Sequence, residues 1–187
     1  MNPRLLIYSH DALGLGHLRR SLAIARAVLA RRPDASVLLV TCSPVVDRLA
    51  IPPGLDYVKL PSARKLANQS YTARTLRIGE DHLLGLRAAI VRDVALQFRP
   101  DVMLVDKSPA GLMGELRPTL AVMRRARPEA RMVLGWRDIL DEPQTVRAEW
   151  SAGDTLGLIE QHYDELWVYG DPRVYDVRTA YGLPRAV

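Results

Sequence analysis

His17 follows Gly16 directly and Gly14 by three residues, within the run SHDALGLGHLRRS at residues 9–21. Glycines at such a place let a backbone approach a ligand closely. The free N–H groups of a helical turn starting there carry partial positive charge, which suits a phosphate. The same two glycines equally permit a tight strand-to-helix turn. At a helix start the macrodipole disfavours imidazolium by ~0.3 to 1 kcal/mol, so His17 in its neutral form can take a proton from a hydroxyl. A solvated or capping histidine is the plainer alternative. His10 and Asp11 precede the glycines, and Asp106 closes the apolar run VMLVD with Lys107 and Ser108 after it. Asp106 can act as a base or orient a bound hydroxyl, or it can cap the following turn. Arg137 and Asp138 follow a second such run, as an anion clamp or as a structural ion pair.

These residues meet only if the strands that end in them share one edge of a sheet. Six short β-rich runs, at residues 4–9, 36–41, 56–60, 102–106, 132–136 and 166–169, alternate with amphipathic stretches. That alternation is the pattern of a parallel sheet covered on both faces. Leu18, Leu22, Ala25 and Leu29 form one stripe of a first helix, and Leu86, Ile90, Val94 and Phe98 one stripe of a long helix over residues 81–98, stopped by Arg99 and Pro100. Shorter helices are expected over residues 116–126, 143–150, 155–162 and 173–180. Residues 61–79, with Arg64, Lys65, Arg74 and Arg77, read as one long surface loop. Right-handed crossovers then give a doubly wound Rossmann-like sheet of order 3-2-1-4-5-6, with its ligand crevice between the ends of the first and fourth strands. His17 and Asp106 should face each other there.

Several chemistries lack their residues. The third glycine of a GxGxxG fingerprint would fall at Arg19, and the second strand runs into Thr41, Cys42 and Ser43 with no acid for a ribose, so NAD is not expected. No GxxxxGK(S/T) loop is present. His10, His17, His82 and His162 lack ligand spacing and Cys42 stands alone, so neither a metal nor another cofactor is expected. Trp136, Trp150 and Trp167 sit at element ends, where core packing is commoner than sugar stacking.

At 187 residues the chain has the length of one domain, and its 48% hydrophobic and 25% charged content is that of a folded globular protein. The net charge of +5 admits anionic partners, yet 23 of the 26 basic residues are arginine, they are scattered, and there is one Phe. Nucleic acid is therefore not the expected partner. One cysteine and an immediate first strand make the cytoplasm the default location, with peripheral contact at the inner face of a membrane left open.

The strand, the glycine turn ending in Gly16-His17 and the helix LRRSLAIARAV (residues 18–28) resemble the start of GT-B glycosyltransferases. The similarity is greatest to MurG-like enzymes of glycosyltransferase family 28 and the predicted glycosyltransferases related to them. VDKSPAGLMGEL (residues 105–116) and GWRDILDEP (residues 135–143) are similar to segments of that predicted group. The chain departs from the MurG pattern in its sparser glycine run. The resemblance implies that residues 1–187 are the amino-terminal, acceptor-side half of a GT-B fold, and that a carboxyl-terminal domain or partner subunit holds most of a nucleotide-diphosphate sugar. Gly14, Gly16 and His17 would touch the donor diphosphate. His10, Asp11, Lys107, Ser108, Arg137 and Asp138 would meet an acceptor of unknown identity, and His17 and Asp106 would be the catalytic residues of a metal-independent transfer. A nucleotide-sugar epimerase or hydrolase, and a non-catalytic partner subunit, are the rival readings.

Overall fold

The computed structural model describes residues 2–11, 15–66 and 71–183, so Gly14 lies outside the described residues. Strands β1 (Arg4–Tyr8), β2 (Ser36–Thr41), β3 (Leu55–Lys59), β6 (Val102–Asp106), β7 (Arg131–Arg137) and β8 (Glu165–Tyr169) form one sheet in the order β3-β2-β1-β6-β7-β8. Every pairing is parallel. Counting only the six strands of this sheet, the order is the 3-2-1-4-5-6 that right-handed crossovers require. The central strands are buried on both faces, which is why they read as unbroken apolar runs instead of alternating ones.

The two faces are covered unequally. On one, Ile7, Val37, Leu39, Leu104 and Val133 pack against Leu18, Leu22, Ala25 and Leu29 of α1 (Gly16–Arg31), so the predicted stripe is the buried one. On the other, Leu6, Tyr8, Met103, Val105, Leu134 and Trp136 meet α2 (Glu80–Phe98), α3 (Arg117–Ala126), α4 (Pro143–Gly153), α5 (Thr155–His162) and α6 (Val177–Tyr181). The helix expected over residues 173–180 is shorter: α6 begins after Asp176, whose carboxylate accepts the Arg178 amide and so caps it. The expected loop at residues 61–79 carries an antiparallel pair, β4 (Ala63–Lys65) with β5 (Tyr71–Ala73). Tyr71 and Ala73 pack beside Leu83 and Leu112, giving that pair an apolar floor.

In α2 the innermost row is Leu83, Arg87, Val91 and Ala95, while Ile90, Val94 and Phe98 flank it and Leu86 is exposed. The sequence stripe is therefore offset by one residue, because a charged side chain occupies the centre of the buried face. Arg87 pairs with the wholly buried Glu115 through Nε to Oε2 at 2.5 Å and Nη2 to Oε1 at 2.7 Å. The Tyr8 hydroxyl donates to Glu115 Oε1 at 2.6 Å and accepts from the Leu112 amide at 2.9 Å, and Arg87 Nη1 donates to the Pro61 carbonyl. Burial, followed by the Glu115 charge, pushes the Tyr8 phenol well above its ordinary pKa. Trp136 is buried and stacks on Trp150 at 5.0 Å, whereas Trp167 is exposed on the edge strand.

Removing one partner of a buried ion pair leaves the other charge stranded, which costs roughly 3 to 5 kcal/mol. Arg87→Met and Glu115→Leu should each lose stability on that scale in urea unfolding, and the double variant should lose less than either. Strict additivity of the two losses would show that the pair is not coupled.

Candidate active site

β1 and β6 are neighbours, with Tyr8 opposite Val105, so the turns that leave them open onto one crevice at the sheet's carboxyl edge. From β1 the chain passes through Ser9, His10 and Asp11. Asp11 faces inward: its carboxylate accepts from Ser9 Oγ at 2.9 Å and from Thr41 Oγ1, and its carbonyl accepts from Cys42 Sγ. Those bonds tie the first turn to the end of β2. Burial pushes the Asp11 carboxyl up in spite of the two hydroxyls.

α1 starts at Gly16 without a side-chain cap and without an acid in its first turn. Among the described residues its first bond runs from the Arg19 amide to the Leu15 carbonyl, and the amides of Gly16, His17 and Leu18 have no described partner. Gly16 does not have a positive φ, and a Cβ built there would meet no described atom within 4 Å. Among the described residues, neither a positive φ nor close packing requires glycine at this position.

The centre of the site is Asp106, the last residue of β6 and 3% exposed. His17 Nδ1 lies 2.6 Å from its Oδ2, and Arg20 Nη2 lies 2.5 Å from its Oδ1. Burial alone would raise the Asp106 carboxyl. The hydrogen bond from His17 and the guanidinium of Arg20 outweigh that and hold it below the ordinary carboxylate range. Against an ionised carboxylate Nδ1 carries the hydrogen, and in that tautomer Nε2 keeps its lone pair for a proton. His17 is half-buried, and no described residue bonds Nε2.

His10 stands edge-on to His17 with ring centroids 5.8 Å apart, its Nδ1 buried without a hydrogen-bond partner among the described residues. Burial, with Lys107 and His17 adding to it, lowers its pKa to about 3, so His10 is neutral. Lys107 is exposed and in the left-handed region at φ 68°. Its amide donates to the Gly135 carbonyl, and its own carbonyl accepts from Trp136 Nε1 at 2.7 Å, which fixes the backbone on both sides. Ser108 Oγ donates to the Gly111 carbonyl. Arg137, the last residue of β7, turns to the Leu140 carbonyl and Asp138 accepts the Ile139 amide, so these two form no ion pair with each other. The crevice thus gathers His10, His17, Asp106 and Lys107, with Asp11 beneath; Arg20 joins them and was not singled out from the sequence. A separate cavity of about 310 Å³ beside Arg147, Trp150, Asp154 and Tyr181 contains none of these residues. Among the described residues no group of three or more His, Cys, Asp and Glu side chains is placed to hold a metal ion, and no helix is long and apolar enough to cross a membrane.

The His10 environment makes a prediction with a definite sign. Between pH 6.5 and about 3 the unfolded chain binds a proton at His10 and the folded one does not, so stability falls as pH drops through that window. The stability advantage of the native chain over His10→Gln, read from urea midpoints, should shrink between pH 7 and pH 4. An advantage independent of pH would mean that His10 titrates like a solvated histidine.

No family model matches the chain, and no curated protein matches it. Among solved structures it is similar to TubZ of the Clostridium botulinum phage c-st, at 13% identity and a TM-score of 0.50, over 95% of this chain and 55% of that one. The GsuK RCK domain aligns at 13% identity and a TM-score of 0.40, over 96% of this chain and 26% of that one. The chain therefore spans about half the length of TubZ and about a quarter of the other. At 13% identity the likeness to TubZ concerns fold alone, and it agrees with the strand order: this is a Rossmann-like, doubly wound parallel α/β domain.

Proposed function

We propose that the chain is the acceptor-side half of a metal-independent GT-B glycosyltransferase, in which His17 Nε2 takes the proton of an acceptor hydroxyl and Asp106 holds the imidazole in the tautomer that can do so. The observation that carries this reading is the 2.6 Å bond between His17 Nδ1 and Asp106 Oδ2 at the junction of β1 and β6. A base oriented by a buried carboxylate, with its second nitrogen open to a crevice, is the arrangement that proton abstraction from a hydroxyl requires. The MurG-like motifs supply the choice of reaction. A sugar transfer needs an attacking oxygen made nucleophilic and a diphosphate leaving group whose growing charge is met by fixed donors. The amides at the start of α1, next to the base, are of the right kind for the second task. The absence of a side chain at Gly16, where nothing described would obstruct one, fits a diphosphate approaching the backbone. His10, neutral beside His17, and Lys107, held by its backbone, flank the place where the acceptor would lie. The nucleotide and most of the sugar would be held by a carboxyl-terminal domain or partner subunit.

In the complete enzyme His17→Ala should lower kcat by ~100-fold or more with the fold intact, the usual scale for loss of a general base. Asp106→Asn should lower it less than or as much as His17→Ala, because the carboxylate acts through the imidazole. If Asp106→Asn abolishes turnover while His17→Ala costs under ~10-fold, the base is the carboxylate.

Gly16→Val gives an independent check. Thermal unfolding should change little, since a Cβ at this position meets no described atom within 4 Å. Turnover should fall by ~100-fold or more as the diphosphate is held off the helix start. A drop in Tm with activity falling only in proportion would return Gly16 to a purely structural part.

A further inference from the structure

A carboxylate that holds an imidazole in one tautomer must itself be held. Asp106 spends Oδ2 on His17 and Oδ1 on Arg20, so the orientation of the guanidinium sets that of the carboxylate. Beyond Asp106, Arg20 Nη2 lies 3.1 Å from His17 Nδ1, and the Arg20 Nε is buried without a partner among the described residues. What lies against it is the ring of Tyr169, with the guanidinium carbon 5.2 Å from the ring centroid. A cation over an aromatic face is attracted by the ring quadrupole, more strongly where water is excluded.

Tyr169 ends β8, two strands away from β6. It reaches Arg20 by crossing β7 at Gly135, the residue opposite Asp106 in the ladder. A Cβ on Gly135 would stand 2.1 Å from the Tyr169 hydroxyl oxygen and 2.8 Å from the ring carbon that carries it. A glycine inside a buried strand marks such a close approach. Burial and the Asp106 charge push the Tyr169 phenol up to about 12, as expected of a ring close to that carboxylate.

We propose that Arg20 and Tyr169 are positioning residues of the His17–Asp106 pair: the Tyr169 ring, admitted by Gly135, sets the plane of the Arg20 guanidinium, and Arg20 sets the carboxylate that selects the His17 tautomer. The catalytic consequence rests on His17 being the base, while the geometric claim does not. The aromatic ring, not the phenol hydroxyl, is the working part.

The test uses this chain alone, without donor or acceptor. Ring ¹⁵N shifts of His17 report its tautomer, and the Asp106 carboxyl ¹³C resonance reports its titration. The groups facing Asp106 in this measurement are His17, Arg20, Tyr169, His10 and Asp11. The native chain and Tyr169→Phe should show His17 protonated on Nδ1 and the depressed Asp106 titration. Arg20→Met should raise that titration by about one unit or more and mix the two tautomers. Tyr169→Leu and Gly135→Ala should change both readouts in the same direction, the second without altering any polar group. Native-like readouts in both of these, alongside a changed Arg20→Met, would reduce Tyr169 to packing and overturn the proposal, as would a silent Arg20→Met. Loss of the ring in one variant and its displacement in the other give two routes to the same answer if either folds poorly. Failure to find transferase activity would count against the proposed function and leave this result standing.

Discussion

The Asp106 carboxylate is charged and almost out of reach of water, so partners must be found for it within the fold. Both come from one helix. His17 and Arg20 are three residues apart on α1, which puts them on the same side of its first turn. The buried stripe of Leu18, Leu22, Ala25 and Leu29 presses α1 onto the sheet, and the two polar bonds fix which end of that helix meets the strand edge. Because α1 carries most of the helical cover on its face, the packing that stabilises the sheet and the geometry that orients His17 are properties of a single element. A helix turned by one residue would break both.

A second buried charge cluster lies on the opposite face. After Asp106 the chain runs through Lys107, Gly111, Met113 and Gly114, all at positive φ, and two of these four are not glycine. Such a backbone persists only where the surroundings over-determine it. The surroundings here are the Tyr8–Glu115–Arg87 bonds, which join β1, the turn around Leu112, α2 and the Pro61 carbonyl. The outcome is a rigid segment immediately after the central carboxylate. Polar groups thus serve on both sides of Asp106, through the helix before it in sequence and through the segment after it.

Much of this was legible in the sequence, for physical reasons. Central strands buried on both faces must be continuously apolar, so those runs, with the edge runs and their spacing with helices, led to the observed order, which sets the ends of β1 and β6 side by side, with residue 106 near residue 17. Other parts were hidden. In LRRS the apolar stripe alone does not separate the two arginines, yet Arg19 is exposed and Arg20 turns to Asp106. Its spacing of three from His17 was the available signal. Arg87 interrupts the innermost row of α2, so hydrophobic spacing favoured the neighbouring row of Leu86, Ile90, Val94 and Phe98. Arg87 and Glu115 are 28 residues apart and could be paired only once α2 and the turn after β6 had been placed. The β4–β5 pair was missed because three-residue strands, one of them Ala-Arg-Lys, carry almost no period-two pattern.

The crossing of Tyr169 over Gly135 makes two distant positions share one volume. The hydroxyl end of the ring occupies the space that any side chain at 135 would need, so the two residues are constrained as a sum. A sequence with alanine or larger at 135 has to surrender the aromatic ring at 169 or lift β8 away from β7, and a sequence with a short residue at 169 has no steric need for glycine. Relatives of this domain should therefore sort into two kinds by this pair of positions, and only one kind can keep the arginine three residues beyond the histidine under an aromatic clamp.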